Sequence, residues 1–178
     1  MTWELDAHHL ELGFAVKHMM VATVRGRFTE VEAEVSLDEE RPDASRVTAT
    51  VQAASLTTGN PDRDAHLRSA DFFDVERYPT IMFRSTSVGR TKEGRFDLDG
   101  ELTIRGVTQD VSLSGEFTGP VASPMGGRVV GFSIEGEIDR EAFGLGWNAA
   151  LETGGVLVGR TVRLQVDAEV HQAASVAA

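Results

Sequence analysis

The 178-residue sequence contains no cysteine, which excludes disulfide bonds, thiolate metal ligands and cysteine nucleophiles. It also lacks any apolar run of the roughly 18 residues that a membrane-spanning helix needs. The first residues after Met1 include neither the basic segment nor the apolar segment of a secretory signal. We therefore expect a cytoplasmic protein without stable membrane insertion.

Basic residues are fewer than acidic residues in this chain. The chain has 17 basic and 28 acidic residues, for a formal net charge of −11 at pH 7. An excess of this sign repels phosphate backbones and anionic lipid surfaces. The sequence therefore predicts no nucleic-acid partner and no electrostatic docking to membranes.

Known catalytic motifs are absent as well: there is no G-x-S-x-G, no H-E-x-x-H, no phosphate-binding loop and no dinucleotide fingerprint. We accordingly predict no catalytic residue, no metal ligand and no cofactor. One alternative stays open, a metal- or acid/base-dependent enzyme built on His9, His18, Asp64 and His66. Alternation along one strand puts His9 and His18 on opposite faces, so that enzyme requires a bulge or turn near Gly13.

Apolar and polar residues alternate along most of the chain, which is typical of half-buried strands. About eight segments follow this pattern, and they predict an all-β, antiparallel fold. The apolar sets are Leu10, Leu12, Phe14 and Val16; Val31, Ala33, Val35 and Leu37; Val47, Ala49 and Val51; Phe96, Leu98, Leu102 and Ile104; Val111, Leu113 and Phe117; Val130, Phe132, Ile134 and Ile138; and Val162, Leu164, Val166, Ala168 and Val170.

Several glycines fall inside these segments, including Gly13, Gly100, Gly115 and Gly136. Glycine within a strand weakens pairing unless it marks a bulge or a tight bend, as in a sheet that closes on itself. This favours an eight-stranded barrel over a flat sandwich. A barrel of that size is either just filled by side chains or holds one small ligand, and alternation alone does not distinguish the two.

One region departs from alternation. Asn60-Pro61-Asp62 has the pattern of an N-cap followed by proline at the first helical position, and it predicts a short helical segment near residues 61–74. We interpret Arg63, Asp64 and His66 as a charged clamp that fixes this segment to one end of the barrel. We expect one domain over residues 1–171 and a disordered tail over 172–178.

At this point the sequence resembles a known family, the YceI-like proteins. The resemblance runs through Leu5-Asp6-Ala7-His8-His9, Phe14-x-Val16-Lys17-His18-Met19, Val24-Arg25-Gly26-Arg27-Phe28, Arg63-Asp64-x-His66-Leu67-Arg68-Ser69, Asp71-Phe72-Phe73-Asp74, Tyr78-Pro79, Gly100-x-Leu102-Thr103-Ile104-Arg105-Gly106 and Asp139-Arg140-x-x-Phe143-Gly144. It implies a lipocalin-like barrel with a helix near one end. It also implies an amphiphilic isoprenoid-type lipid as partner, either a polyisoprenoid or a quinone with an isoprenoid tail.

From this resemblance we hypothesise that seven residues line the lumen: Phe14, Val16, His18, Phe28, Phe83, Leu102 and Phe132. The function expected is binding, sequestration or transport of that lipid. A stress-related module with a packed core and no ligand is a further alternative. Unpaired sheet edges would also allow a homodimer.

Overall fold

The computed structural model describes residues 2–152 and 154–173, and it consists of a single antiparallel sheet of ten strands. The strands are β1 (Glu4–His18), β2 (Ala22–Phe28), β3 (Val31–Ser36), β4 (Arg46–Gln52), β5 (Leu56–Thr57), β6 (Thr80–Lys92), β7 (Arg95–Ile104), β8 (Val107–Ala122), β9 (Arg128–Asp139) and β10 (Val158–Gln172). Helix α1 spans Pro61–Arg68, and short 3₁₀ turns occupy Pro42–Ala44, Ala53–Ser55 and Arg140–Phe143.

The sheet has the order β3-β4-β6-β7-β8-β9-β10-β1-β2-β5 and curls into a lipocalin-like barrel. The curl brings the β3 edge to the start of the chain, where Trp3 forms an isolated bridge with Val35. The predicted all-β antiparallel fold is confirmed. The predicted number of eight strands is low, because β1 and β2 form a tight hairpin within one alternating run and β5 has two residues, too few to show alternation.

A large bulge interrupts the pairing of β1 with β10. Leu5 lies opposite Val170 and Leu10 lies opposite Ala168, so the four residues from Asp6 to His9 face the single residue Glu169. Such a bulge frees side chains from the ladder and redirects them. Beyond it, regular pairing resumes as far as Val16.

The barrel half that contains α1 is filled with side chains. Its core includes Phe72 and Phe143, which are 6% and 1% exposed, together with Leu102 from β7 and Ile138 from β9. Two glycines permit close packing here. A Cβ on Gly26 would lie 2.3 Å from the Phe14 ring, and one on Gly100 would lie 2.4 Å from the Phe83 ring. The aromatic rings therefore lie over neighbouring strands at positions that only glycine allows.

Helix α1 begins as predicted, since Asn60 accepts a hydrogen bond from the backbone N–H of Arg63 at 3.1 Å and Pro61 follows it. It ends earlier than predicted, at Arg68, and turns follow it. The guanidinium of Arg68 donates to the carbonyls of Ala54 and Leu56 at 2.9 and 2.7 Å. These bonds fix the helix to the end of the barrel.

Arg140 fixes the long segment between β9 and β10. Its side chain is only 3% exposed, and it donates to the backbone carbonyls of Leu145, Trp147, Val158 and Gly159. A buried guanidinium is tolerated because each of its three nitrogens donates to a backbone carbonyl, although burial still lowers the pKa of Arg140.

The last strand extends into the segment predicted to be a tail. Gln172, assigned to the tail in the sequence analysis, is the last residue of β10 and is buried. Ala173 is described and exposed, and residues 174–178, the remainder of the predicted disordered tail, lie outside the described residues. Within residues 2–152 and 154–173, no helix has the length and apolar character needed to cross a membrane. The possible homodimer stays a prediction.

Candidate functional site

The other half of the barrel encloses a cavity of about 390 Å³. This volume lies within the range of small-molecule pockets, about 300–1,000 Å³. The lining residues are mostly apolar and come from eight strands, the chain start and the segment between β3 and β4: Trp3, Leu5, Leu10, Val31, Ala33, Val35, Leu37, Asp38, Glu39, Pro42, Ser45, Arg46, Val47, Ala49, Val88, Phe96, Leu98, Phe117, Pro120, Val130, Phe132, Ile134, Ala168 and Val170.

The space exists because small residues face large ones across the barrel. Ala33 and Ala49 are direct partners on β3 and β4, and both line the cavity. On the opposite wall, the Phe96 ring lies 6.4 Å from that of Phe117 and 5.9 Å from that of Phe132. Two methyl groups opposite three rings leave room between the two walls of the barrel.

One end of the cavity is polar. Glu39 and Arg46 are exposed there, and Asp38 and Ser45 lie just inside. A backbone N–H donated by Arg41 holds the pKa of Asp38 below its ordinary value, so this carboxylate is ionised at neutral pH. This end is therefore where the cavity meets water.

The arginines at this mouth already have partners. Arg128 donates to Glu39 and to Gln172, and its guanidinium lies 5.5 Å from the centre of the Trp3 ring. Arg46 donates to the backbone carbonyls of Asp43 and Ser45 at 2.7 and 2.6 Å. Among the side chains that the structure describes at the mouth, Arg46 and Arg128 are thus both engaged with carbonyl or carboxamide and carboxylate oxygens.

The seven predicted lumen residues divide between the two halves of the barrel. Phe132 lines the cavity. Phe28, Phe83 and Leu102 instead pack in the filled half, around the core beneath α1. Phe14 lies beside Phe28, with ring centroids 5.5 Å apart.

The remaining two, Val16 and His18, lie further along β1, opposite Val24 and Ala22 of β2. Neither is among the described residues that line the cavity. The aromatic and aliphatic residues that do line it share the alternation noted in the sequence. Alternation could therefore have identified them as inward-facing residues, but it gives no information on which half of the barrel is empty.

The residues of the alternative enzyme lie in separate places. His9 lies in the β1 bulge and bonds Asp6, whereas His18 ends the same strand at its far end. Asp64 accepts from the backbone N–H of Thr58 at 2.9 Å, and His66 bonds Asp71 at 2.8 Å.

Aromatic rings surround His66, since its ring centroid lies 4.6 Å from that of Trp147 and 5.1 Å from that of Phe72. Asp64 and His66 thus serve to fix the helix and its following turns, in agreement with the clamp interpretation. The hydrogen bonds and ring contacts of Asp64 and His66 are accounted for by this structural role.

A second groove, of about 520 Å³, lies on the outer surface beside the β1 bulge. It is more open than the interior cavity, and polar side chains such as His8, Glu116 and Asp167 line much of it. Water already solvates such a surface well, so it offers an apolar ligand little gain. The interior cavity is the better candidate for a ligand site.

Comparisons with known proteins agree with this architecture. The sequence profile of the YceI-like domain matches residues 3–170. A UPF0312 protein of Staphylococcus aureus is 38% identical over 165 residues, which cover 92% of this chain and 94% of that protein.

Solved structures show the same fold. BcnA of Burkholderia cenocepacia matches with a TM-score of 0.82 and 21% identity, over 93% of this chain and 99% of that one. The YCEI protein of Campylobacter jejuni matches with a TM-score of 0.75 and 27% identity, over 88% and 89%. A polyisoprenoid binding domain from Saccharophagus degradans matches with a TM-score of 0.68 and 15% identity, over 96% and 98%. On the profile match and the sequence identity together, the chain belongs to the YceI-like family.

Proposed function

We propose that this protein binds an amphiphilic lipid by inserting an isoprenoid-type tail into the interior cavity. The observation that carries the proposal is the cavity itself: about 390 Å³ walled by aliphatic and aromatic side chains, with polar groups at one end. The polyisoprenoid binding domain of Saccharophagus degradans, which has the same fold, supports this choice of ligand class.

The physical gain comes from removing the tail from water. Each buried methylene contributes about 0.8 kcal/mol, so ten buried tail carbons contribute roughly 8 kcal/mol of transfer free energy, from which the entropic cost of association is subtracted. No hydrogen bond to the tail is required. The wall from Val31 to Val35 and the facing rings of Phe96 and Phe117 supply the apolar contact.

The polar mouth favours an uncharged head group. Asp38 and Glu39 border the opening, and Arg46 and Arg128 already donate to carbonyl and carboxylate oxygens. Among the described side chains at the mouth, a phosphate would meet two carboxylates and two arginines that are already paired, whereas a hydroxyl or a quinone ring needs only hydrogen bonds. We therefore infer a neutral isoprenoid alcohol or an isoprenoid quinone. We further infer a role in sequestration or transport and not in catalysis.

The test has two parts. Protein purified under non-denaturing conditions is extracted with organic solvent, and the extract is analysed by mass spectrometry for isoprenoid lipids. Delipidated protein is then heated with and without all-trans-geranylgeraniol. At a concentration 100 times the dissociation constant, binding adds about 2.7 kcal/mol, which raises the melting temperature by roughly 5–10 °C. An extract free of isoprenoids together with an unchanged melting temperature would refute the proposal.

A further inference from the structure

Four ligand-type side chains meet on the outer face of the barrel, where β1 bulges away from β10. Nδ1 of His9 lies 2.8 Å from Oδ2 of Asp6 and 3.6 Å from Oε2 of Glu169. Nε2 of His171 lies 3.1 Å from the same Asp6 oxygen and 3.7 Å from the same Glu169 oxygen. Two imidazole nitrogens and two carboxylate oxygens thus surround one small space.

The topology brings these residues together. Asp6 and His9 lie in the bulge that faces Glu169. Glu169 and His171 are two residues apart on β10, so they share one face of that strand. Val170, between them, is 1% exposed and lines the cavity on the opposite face.

The spacing fits a tetrahedral metal ion. Zinc binds imidazole nitrogen and carboxylate oxygen at about 2.0–2.2 Å, and a regular tetrahedron of that radius has edges of about 3.3–3.6 Å. Four of the six separations run from 2.8 to 3.7 Å. The donor atoms of Asp6, His9 and Glu169 all lie within 4.8 Å of one another, close enough to share one ion, and His171 lies beside them as a fourth donor.

His171 supplies an independent observation. The His171 side chain is 40% exposed, but its Nε2 atom is buried and has no hydrogen-bond partner among the described residues, although Asp6 is within ion-pair distance. Buried polar atoms are rarely left unpaired, and a bound ion is one of the reasons for such an exception.

The electrostatics suit a cation. Hydrogen bonds from the His9 side chain and the His8 backbone lower the pKa of Asp6 to about 2, so this carboxylate is ionised at neutral pH. The Asp6 carboxylate in turn raises the pKa of His9. A proton on His9 would compete with a metal ion, so binding is best measured above neutral pH.

We propose that Asp6, His9, Glu169 and His171 form a site for a divalent transition-metal ion of the zinc type. Mixed imidazole and carboxylate donors suit zinc and its neighbours in the first transition row, whereas magnesium and calcium prefer oxygen donors alone. The ion joins the β1 bulge to β10 directly behind the cavity wall, and so stabilises the barrel at this seam. The site is independent of the proposed lipid.

The test uses the full chain without a histidine tag, treated with chelator and then dialysed, at pH 8. Zinc titrated by calorimetry is expected to bind with one-to-one stoichiometry and to raise the melting temperature, while magnesium and calcium do neither. Loss of an outer partner of a metal ligand typically weakens binding 10- to 100-fold. Removing a ligand through His9→Gln or His171→Gln is therefore expected to weaken zinc binding by at least about 10-fold.

His8→Gln is the matched control. His8 lies in the same bulge and its side chain is exposed, and only its backbone N–H contacts Asp6, so this variant is expected to bind zinc like the unmodified protein. Circular dichroism checks that each variant is folded. No zinc binding by the unmodified chain, or equal losses in His8→Gln and His9→Gln, would overturn the proposal.

Discussion

Filling the cavity is the sharpest test of the proposed lipid site. Ala49 lies on β4 opposite Ala33, and both methyl groups border the empty half of the barrel. In Ala49→Phe, six additional carbons occupy space that the ligand tail would otherwise use. At about 0.8 kcal/mol per carbon, the tail loses about 5 kcal/mol of burial, which corresponds to a 10³- to 10⁴-fold weaker dissociation constant.

The same substitution has little net effect on folding. Burying the phenyl ring contributes about 1.5–3 kcal/mol, and the strain of added volume in a core is typically 1–3 kcal/mol. We therefore expect the free energy of unfolding to change by less than about 2 kcal/mol. The variant should remain folded and lose its ligand, a combination that general destabilisation does not produce.

The control is Thr48→Phe, one residue earlier on β4. Thr48 is exposed and faces away from the cavity, so the same aromatic ring is added on the outside of the barrel. Equilibrium binding of tritiated geranylgeraniol is measured for the unmodified protein and both variants, with urea unfolding as the check on stability. A folded Ala49→Phe variant that binds geranylgeraniol as tightly as Thr48→Phe does would refute the location of the lipid site in this cavity.

Three further predictions concern stability. Arg140→Met leaves four backbone carbonyls without their donor, at a cost of about 1–3 kcal/mol for each buried acceptor. The free energy of unfolding, measured in urea, should therefore fall by at least about 3 kcal/mol, and it should fall less in Arg140→Lys. A hydrogen bond from Arg160 lowers the pKa of Asp139 below its ordinary 3.8, so the stability advantage over Asp139→Asn should be complete above pH 3.8 and should shrink as the pH falls through the lowered pKa. An advantage measured by urea unfolding that does not shrink at all below pH 3.8 would contradict this. Gly26→Ala places a Cβ 2.3 Å from the Phe14 ring and should lower the melting temperature, with partial recovery in the double variant that adds Phe14→Leu.

Local patterns in the sequence were sufficient for most of the fold. Alternation gave the antiparallel sheet and its inward-facing residues, including Ala33, Val35 and Val130, all of which line the cavity. The Asn60-Pro61 pair gave the start of α1, because capping depends on residues within one turn. These features are determined by neighbours in the chain, so they can be deduced without coordinates.

The position of the cavity could not be deduced in the same way. Phe28, Phe83 and Phe132 have similar sequence surroundings, yet the first two pack beneath α1 and the third borders empty space. The difference depends on the height of each residue along the barrel. That height is fixed by strand register and by where the helix closes one end, both of which are contacts between distant parts of the chain.

The cluster around His9 illustrates the same division. The sequence predicted no metal ligand and left open, as an alternative, a metal- or acid/base-dependent enzyme built on His9, His18, Asp64 and His66. The actual neighbours of His9 are Asp6 and, more than 150 residues later, Glu169 and His171. Residue types and strand faces follow from the sequence alone. The bulge that turns Asp6 and His9 toward β10 is a product of tertiary pairing, because four residues are accommodated opposite one only when both strands are held in a closed sheet.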